Sequence, residues 1–397
     1  MRDLTTVDLF CGAGGISQGF RQAGYKCLFA NDVDGDALRT FTLNHPGVDV
    51  SSAPIEELDP RQIRRRIGLR SGELDCLLGG PPCQGFGINA PGRFLDDPRN
   101  SLFRHYLGFV REFEPTTLML ENVPGMLSLA RGHVLTRIVG ELEELGYAVV
   151  YRILFAAHYG VPQERWRLVI LASRHGPAPS HPRPTHAAQG RANFTGGRSL
   201  TLRTDGSDRH LAPHVSVEEA IGDLPPLEAG RGDEVSPYPG PPHSDYSAAM
   251  RLGSKLVLDH VAPRISAINL ARLRHIEPGG SLRDIPDDLL PAGMRRARKS
   301  DHTRRYGRLQ PGGLAGTVMT KMDPHWGPAF HYSQNRTLTV RESARLQSFP
   351  DRYIFSGSRV SQYRQIGNAV PVLMAEAIAR ELLSTVFSST KQLAVTR

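Results

Sequence analysis

Over the first 175 residues, short apolar runs of β character alternate with stretches of helical period, and few architectures accommodate such an alternation. Thr5–Phe10, Lys26–Ala30, Leu74–Leu78, Thr116–Leu120 and Arg167–Leu171 read as strands. Ile16–Ala23, Asp34–Leu43, Leu102–Phe113 and Val134–Leu145 read as helices between them. Apolar strands separated by helices pack as a mostly parallel sheet with helices on both faces, so the expected fold is α/β, a Rossmann-like doubly wound domain.

After Ser173 the pattern changes. From about His175 to Pro328 the chain is rich in Pro, Gly and His, is broken by Gly196-Gly197, Pro225-Pro226, Pro241-Pro242, Gly279-Gly280 and Gly312-Gly313, and has few periodic segments. Order returns with helices over Thr339–Leu346 and Val372–Leu383; Arg341 and Arg345 lie one turn apart, as on a polar helix face. The expected organisation is a first domain of residues 1–175 plus 361–397 and a smaller, loop-rich domain of residues 176–360. The length of 397 residues suits two or three domains, and no internal repeat is visible.

No run approaches the roughly 18 apolar residues of a membrane span, and Met1-Arg2-Asp3-Leu4 lacks a secretory pattern, so the cytoplasm is the expected compartment. A net charge of +8, with arginine far outnumbering lysine, favours a polyanionic partner, because the guanidinium fork matches phosphate. Cys11, Cys27, Cys76 and Cys83 fit neither a disulfide framework nor a zinc site and read as free thiols; the scattered histidines lack cysteine partners, so no metal is expected.

Six segments can carry chemistry. Asp8-Leu9-Phe10-Cys11-Gly12-Ala13-Gly14-Gly15 runs from a strand through a glycine turn into a helix, which lets backbone approach a ligand closely. Asn31-Asp32 ends the next strand, where a carboxylate can accept hydrogen bonds from ribose hydroxyls, so a nucleoside cofactor is implied; a turn serving only helix–strand packing is the plainer alternative. Gly79-Gly80-Pro81-Pro82-Cys83-Gln84-Gly85-Phe86-Gly87 puts a thiol just past a strand end, where open α/β sheets bind ligands; taken alone, a packed cysteine is the better reading. Glu121-Asn122-Val123 follows an apolar strand and brings a carboxyl to the same edge, either as an acid of raised pKa or as a carboxylate paired with an arginine. Alternation puts Gln163, Arg165 and Arg167 on one face before the last strand of the domain, and Gln365-Ile366-Gly367-Asn368-Ala369-Val370-Pro371 precedes the last helix.

Together and in this order, these segments resemble the C5-cytosine-specific DNA methyltransferases, over nearly the whole chain outside roughly residues 185–300. The resemblance implies S-adenosyl-L-methionine held by Phe10, Gly12, Gly14, Gly15 and Asp32, with Val33 against the adenine, Pro81 nearby, and Asn368 and Val370 completing the pocket. It implies that the Cys83 thiolate adds to carbon 6 of a flipped-out cytosine, that Glu121 stabilises the charge through ring nitrogen 3, and that Arg165 and Arg167 bind the base carbonyl and nearby backbone. Gln84 and Gln163, with Arg304, Arg305, Arg308 and Lys321 of the second, target-recognition domain, would touch double-stranded DNA; Arg295, Arg296, Arg298 and Lys299 extend that basic window.

Two positions depart from the family: Pro54-Ile55 stands where an Asp-Ile pair usually contacts adenine, leaving Ile55 in the pocket, and Gly87 replaces a serine after Cys83. The implied enzyme is of the bacterial modification type, with a cognate restriction endonuclease as a possible partner. A relative acting on transfer RNA would carry a Cys-Phe-Thr signature, which is absent, and an inactive DNA-binding module would be expected to lack Cys83 or Glu121.

Overall fold

The computed structural model describes residues 3–81, 101–127, 132–176, 178–194, 198–202, 211–295 and 304–387. The chain forms two compact units, one of Met1–Tyr159, Trp166–Leu211 and Val370–Arg397, the other of Gly160–Arg165 and Ala212–Ala369.

The first unit is built on a seven-stranded sheet of order β3-β2-β1-β4-β5-β7-β6. Its strands are β1 (Leu4–Leu9), β2 (Tyr25–Asn31), β3 (Asp49–Ser51), β4 (Cys76–Gly79), β5 (Thr117–Asn122), β6 (Ala148–Phe155) and β7 (Trp166–Ser173). The first five pair in parallel, as expected, while β7 runs antiparallel to both β5 and β6. Two strands escape a reading by apolar run. Three-residue β3 is too short to show a pattern, and edge strand β6 carries the exposed Tyr151 and Arg152 in its middle. Strand order reverses between β1 and β4, which opens a crevice beyond their carboxyl ends.

Helices α1 (Gly15–Gln22), α2 (Gly35–Asn44), α3 (Pro60–Arg66), α4 (Ser101–Phe113) and α5 (His133–Glu144) connect these strands. Helix α4 sends Tyr106, Val110 and Phe113 into the core formed by Val7, Leu77, Leu118 and Ile170. Helix α11 (Val372–Leu382), from the far end of the chain, packs against α1. A Cβ on Gly19 of α1 would lie 2.6 Å from Ala375 Cβ, Glu376 N and Val372 O, so only glycine permits this approach. Alanine within a helix normally gains about 1 kcal/mol over glycine. Here the clash is with backbone, and Gly19→Ala is expected to lower the urea unfolding midpoint by the equivalent of about 1–3 kcal/mol. A raised midpoint would mean that the two helices separate freely.

Between β7 and α11 the described elements are short: β8 (His186–Ala187), β9 (Gly190–Phe194) and β10 (Arg198–Leu202), then in the second unit β11 (Ala212–Pro213), α6 (Val217–Ile221), β12 (Gly232–Pro237) paired antiparallel with β13 (Leu256–Val261) across the intervening α7 (Asp245–Arg251), α8 (Ala267–Leu273), α9 (Val340–Leu346) and α10 (Arg359–Asn368). The second unit has a core of its own, in which Leu273, Ile276, Leu282, Tyr306 and Phe330 pack together. Helix α9 has no polar outer face, contrary to the amphipathic reading. Arg341 and Arg345 are fully buried, Arg345 against Asp223 and Asp351 and Arg341 against Asp259 and the carbonyls of Leu258 and Tyr353. Buried charge survives there because each guanidinium meets carboxylates or carbonyls. Among the described residues no helix is long and apolar enough to cross a membrane, and no group of three or more His, Cys, Asp or Glu is placed to hold a metal ion.

Candidate active site

At the carboxyl end of β1 the chain turns through Gly12 (φ 53°) and Gly14 (φ 86°), both in the left-handed region, and Gly15 opens α1. Phe10, also at positive φ (60°), packs partly buried on the core. Asp32, just past β2, clamps this turn. Its Oδ2 accepts the Gly12 N–H at 2.8 Å and its Oδ1 accepts the Asp34 N–H at 2.9 Å. Burial raises its pKa, and these two donors oppose the shift. A Cβ on Gly12 would meet nothing within 4 Å, so there is open space beside the turn. Val33, next to Asp32, is 66% exposed and offers an uncovered apolar surface. A backbone turn, a carboxylate and an apolar side chain around open space fit a nucleoside.

The other residues assigned to the cofactor are placed less directly. Ile55 is buried in the core, and Pro81 ends the described part of its loop with its carbonyl accepting from Asn122 Nδ2 at 3.2 Å. Val370 is buried in the first unit, while Asn368 closes α10 in the second. Asp8, part of the same motif but given no role by the sequence, lies fully buried beneath the turn. It accepts from Ser17 Oγ at 2.6 Å, and burial pushes its pKa up to about 7.

Glu121 stands at the mouth of β5, opposite Val169 of β7. Because β7 runs back along β5, its first turn of chain arrives beside the end of β5, and Arg167 Nε donates to Glu121 Oε1 at 2.5 Å. Both side chains are largely withdrawn from water, at 12% exposure for Glu121 and 14% for Arg167. The other oxygen, Oε2, lies 3.5 Å from where a Cβ on Gly80 would stand, which places Glu121 in ordinary contact with the chain just past β4. The sequence allowed either a site carboxyl or a carboxylate paired with an arginine. The structure shows a pair, but the arginine is the one from the Gln-x-Arg-x-Arg motif. Cys83 follows Gly80 by three positions; it and Gln84 lie outside the described residues.

Strand β7 begins only at Trp166, so strand alternation covers Arg167 but not Gln163 or Arg165. Arg165 is buried and its Nη2 donates to the carbonyls of Gly367 (2.8 Å) and Ala369 (2.9 Å). Gln163, also buried, donates to Leu346 O and Gln347 Oε1 and accepts the Val318 N–H at 2.8 Å.

The family model for C-5 cytosine-specific DNA methylases matches residues 4–225 and 257–384. The chain belongs to this family. It is similar to the Type II methyltransferase M.AgeI of Thalassovita gelatinovora, at 37% identity across 96% of this chain and 99% of the relative. It is similar to the Type II methyltransferase M.DdeI of Desulfomicrobium norvegicum at 35% identity, across 96% and 88% of the two chains. Among solved structures, an Escherichia coli prophage protein described as a DNA modification methyltransferase has the same fold, with a TM-score of 0.71, 22% identity and coverage of 97% and 99%.

In the second unit of this C5-methylase family member, the arginines assigned to DNA divide. Arg308 is absorbed by the scaffold, donating to the carbonyls of Ile276, His331 and Gln334 and to Asn335 Oδ1. Arg304 is exposed and pairs with Glu164 at 2.5 Å, whereas Lys321 is exposed and Arg305 partly so. Arg296, Arg298 and Lys299 lie outside the described residues. One contributor escaped the sequence reading: Asn122, which ties the ends of β4 and β5 together. Only the register of the strands reveals it.

Proposed function

We propose that this chain methylates carbon 5 of a flipped-out cytosine within a specific double-stranded DNA sequence, as the modification partner of a separately encoded restriction endonuclease in the cytoplasm. The observation that carries this reading is the Glu121–Arg167 pair, 2.5 Å across at the crevice edge of β5 and beside Gly80, where the Cys83 loop departs.

Carbon 5 of cytosine is a weak nucleophile. Addition of the Cys83 thiolate to carbon 6 sends the ring electrons toward carbon 5 and nitrogen 3. Glu121, held by Arg167 through one oxygen, shares a proton with nitrogen 3 through the other and so stabilises that charge. Arg167 would also approach the base carbonyl. Arg165 acts at one remove, by fixing the Gly367–Ala369 backbone. S-adenosylmethionine, when bound, supplies the electrophilic methyl group. Gly12, Gly14, Gly15, Asp32 and Val33 would hold it, with Phe10, Ile55, Pro81 and Val370 of the same unit around them. Methyl transfer to carbon 5 would leave S-adenosylhomocysteine as the leaving group; the carbon 5 proton then passes to water, its bonding pair restores the ring double bond and Cys83 is expelled as thiolate. The second unit reads the target, and contacts to the backbone offset the few kcal/mol needed to unstack a base.

Trapping tests the reading. Duplex DNA containing 5-fluorocytosine, incubated with the protein and S-adenosylmethionine, should give an adduct that survives denaturation, because fluorine cannot leave as the proton does. Cys83→Ser should abolish that adduct. Trapping on RNA alone would transfer the reading to an RNA cytosine methyltransferase.

A further inference from the structure

Trp326 is 60% exposed, an unusual position for the largest apolar side chain. The turn beneath it is pinned. The Trp326 N–H donates to Asp323 O at 3.1 Å, the His325 N–H to Asp323 Oδ1 at 3.0 Å, and Pro324 O accepts the Tyr306 N–H at 2.7 Å. The loop's root is fixed as well, because Val318 is bonded to Gln163, and Gly367 packs so closely on Met319 that a Cβ there would lie 2.6 Å from its carbonyl.

Around the indole, the Arg305 guanidinium lies 5.1 Å from the ring centroid and His325 packs edge-on at 5.1 Å. His325 in turn meets Tyr306 edge-on at 6.0 Å, and Arg272 lies 5.4 Å from the Tyr306 ring. Among the described residues no carboxylate forms an ion pair with Arg305 or Lys321, although Asp323 is in the same turn. A rigid aromatic surface with the partly exposed Arg305 against it, and the exposed Lys321 on the same loop, is suited to a polyanion with flat, stackable faces. A neutral or basic protein surface would leave those cations uncompensated.

We infer that the Trp326 indole, backed by Arg305, is a nucleotide-stacking contact to the target duplex. This rests on the DNA-modifying reading above and adds to it the element that touches a base or sugar. Arg305 supports the ring from one side and neutralises an adjacent phosphate.

The chain has two tryptophans, and the other, Trp166, is buried and stacked on Phe155 at 4.2 Å, so acrylamide quenching reports chiefly on Trp326. The probes are a duplex carrying the site found by bisulfite sequencing of an expressing host and the same duplex with that site scrambled. The specific duplex should shield the tryptophan emission from acrylamide, and the scrambled one should do so less. Trp326→Ala should raise the KM for DNA by about 5- to 150-fold, the range expected for a lost base–aromatic stack. That loss should fall on KM and not on kcat, with S-adenosylmethionine affinity unchanged and Trp326→Phe restoring most of the difference. Unchanged quenching under saturating specific duplex, or an unchanged KM in Trp326→Ala, overturns the inference while the wild type still methylates DNA. Shielding that appears on raising protein concentration without DNA also overturns it, in favour of a contact between copies. A wild type that methylates neither duplex defeats the DNA-modifying reading itself, and the inference with it.

Discussion

Glu121→Gln is expected to slow methyl transfer by about 100- to 1,000-fold, the usual effect of removing one group aimed at developing charge. DNA binding should weaken far less. The substitution keeps size and hydrogen-bonding capacity but cannot give up a proton, and it deprives Arg167 of the carboxylate that orients it at 2.5 Å. The loss is thus confined to the state in which nitrogen 3 becomes basic, after the thiolate has added to the ring. Single-turnover transfer from radiolabelled S-adenosylmethionine, beside filter binding of the same duplex, separates the two terms. Equal losses in rate and binding would remove Glu121 from the chemistry and leave it a structural partner of Arg167.

Glu342→Gln is expected to destabilise the protein by about 3–5 kcal/mol, the range found when one member of a buried ion pair is removed. Arg336 approaches Glu342 with both terminal nitrogens, Nη1 to Oε2 at 2.8 Å and Nη2 to Oε1 at 2.6 Å, and both side chains are buried. Glu342 Oε2 also accepts the Thr339 N–H at 2.8 Å, closing the capping box of α9. The glutamine can keep one of these bonds but leaves a buried guanidinium without a counter-charge. Arg336→Met in the glutamine background should recover part of the loss.

The same pair makes stability depend on pH. Burial alone would raise the Glu342 pKa, but Arg336 overrides it and holds the carboxyl well below the usual range. Its stabilisation is therefore complete above the unfolded value near 4.3 and is lost as pH falls below it. Burial pushes neighbouring His331 down to about 4, so the unfolded state takes up its proton first and stability also falls from about pH 6.5 towards 4. Urea midpoints should decline on acidification in the wild type, and in Glu342→Gln the decline below about pH 4.5 should be shallower. Parallel curves would show that Arg336 does not set the acid limit.

Much of the catalytic unit could be read from the chain because its signals are local. Five strands with the helices between them, the glycine turn at Gly12 and Gly14, and the acid at Asp32 each announce themselves within a few residues. The family resemblance was also legible, since it rests on short motifs in a set order. What escaped has weak local character: β3 is three residues long, and β6 is an edge strand with Tyr151 and Arg152 outward. The helix of Arg341 and Arg345 has an amphipathic pattern, and only the positions of Asp223, Asp259 and Asp351 show that its charges are buried.

By itself the sequence determined which chemical groups are present and on which strand ends they fall, because strand and turn formation depend on neighbours in the chain. Tertiary structure alone decided what each group touches. The antiparallel return of β7 puts Arg167 on Glu121, and the chain just before β7 diverts Gln163 and Arg165 to buried backbone. These contacts join residues tens to hundreds of positions apart, and packing and strand register set them, neither of which a local pattern encodes.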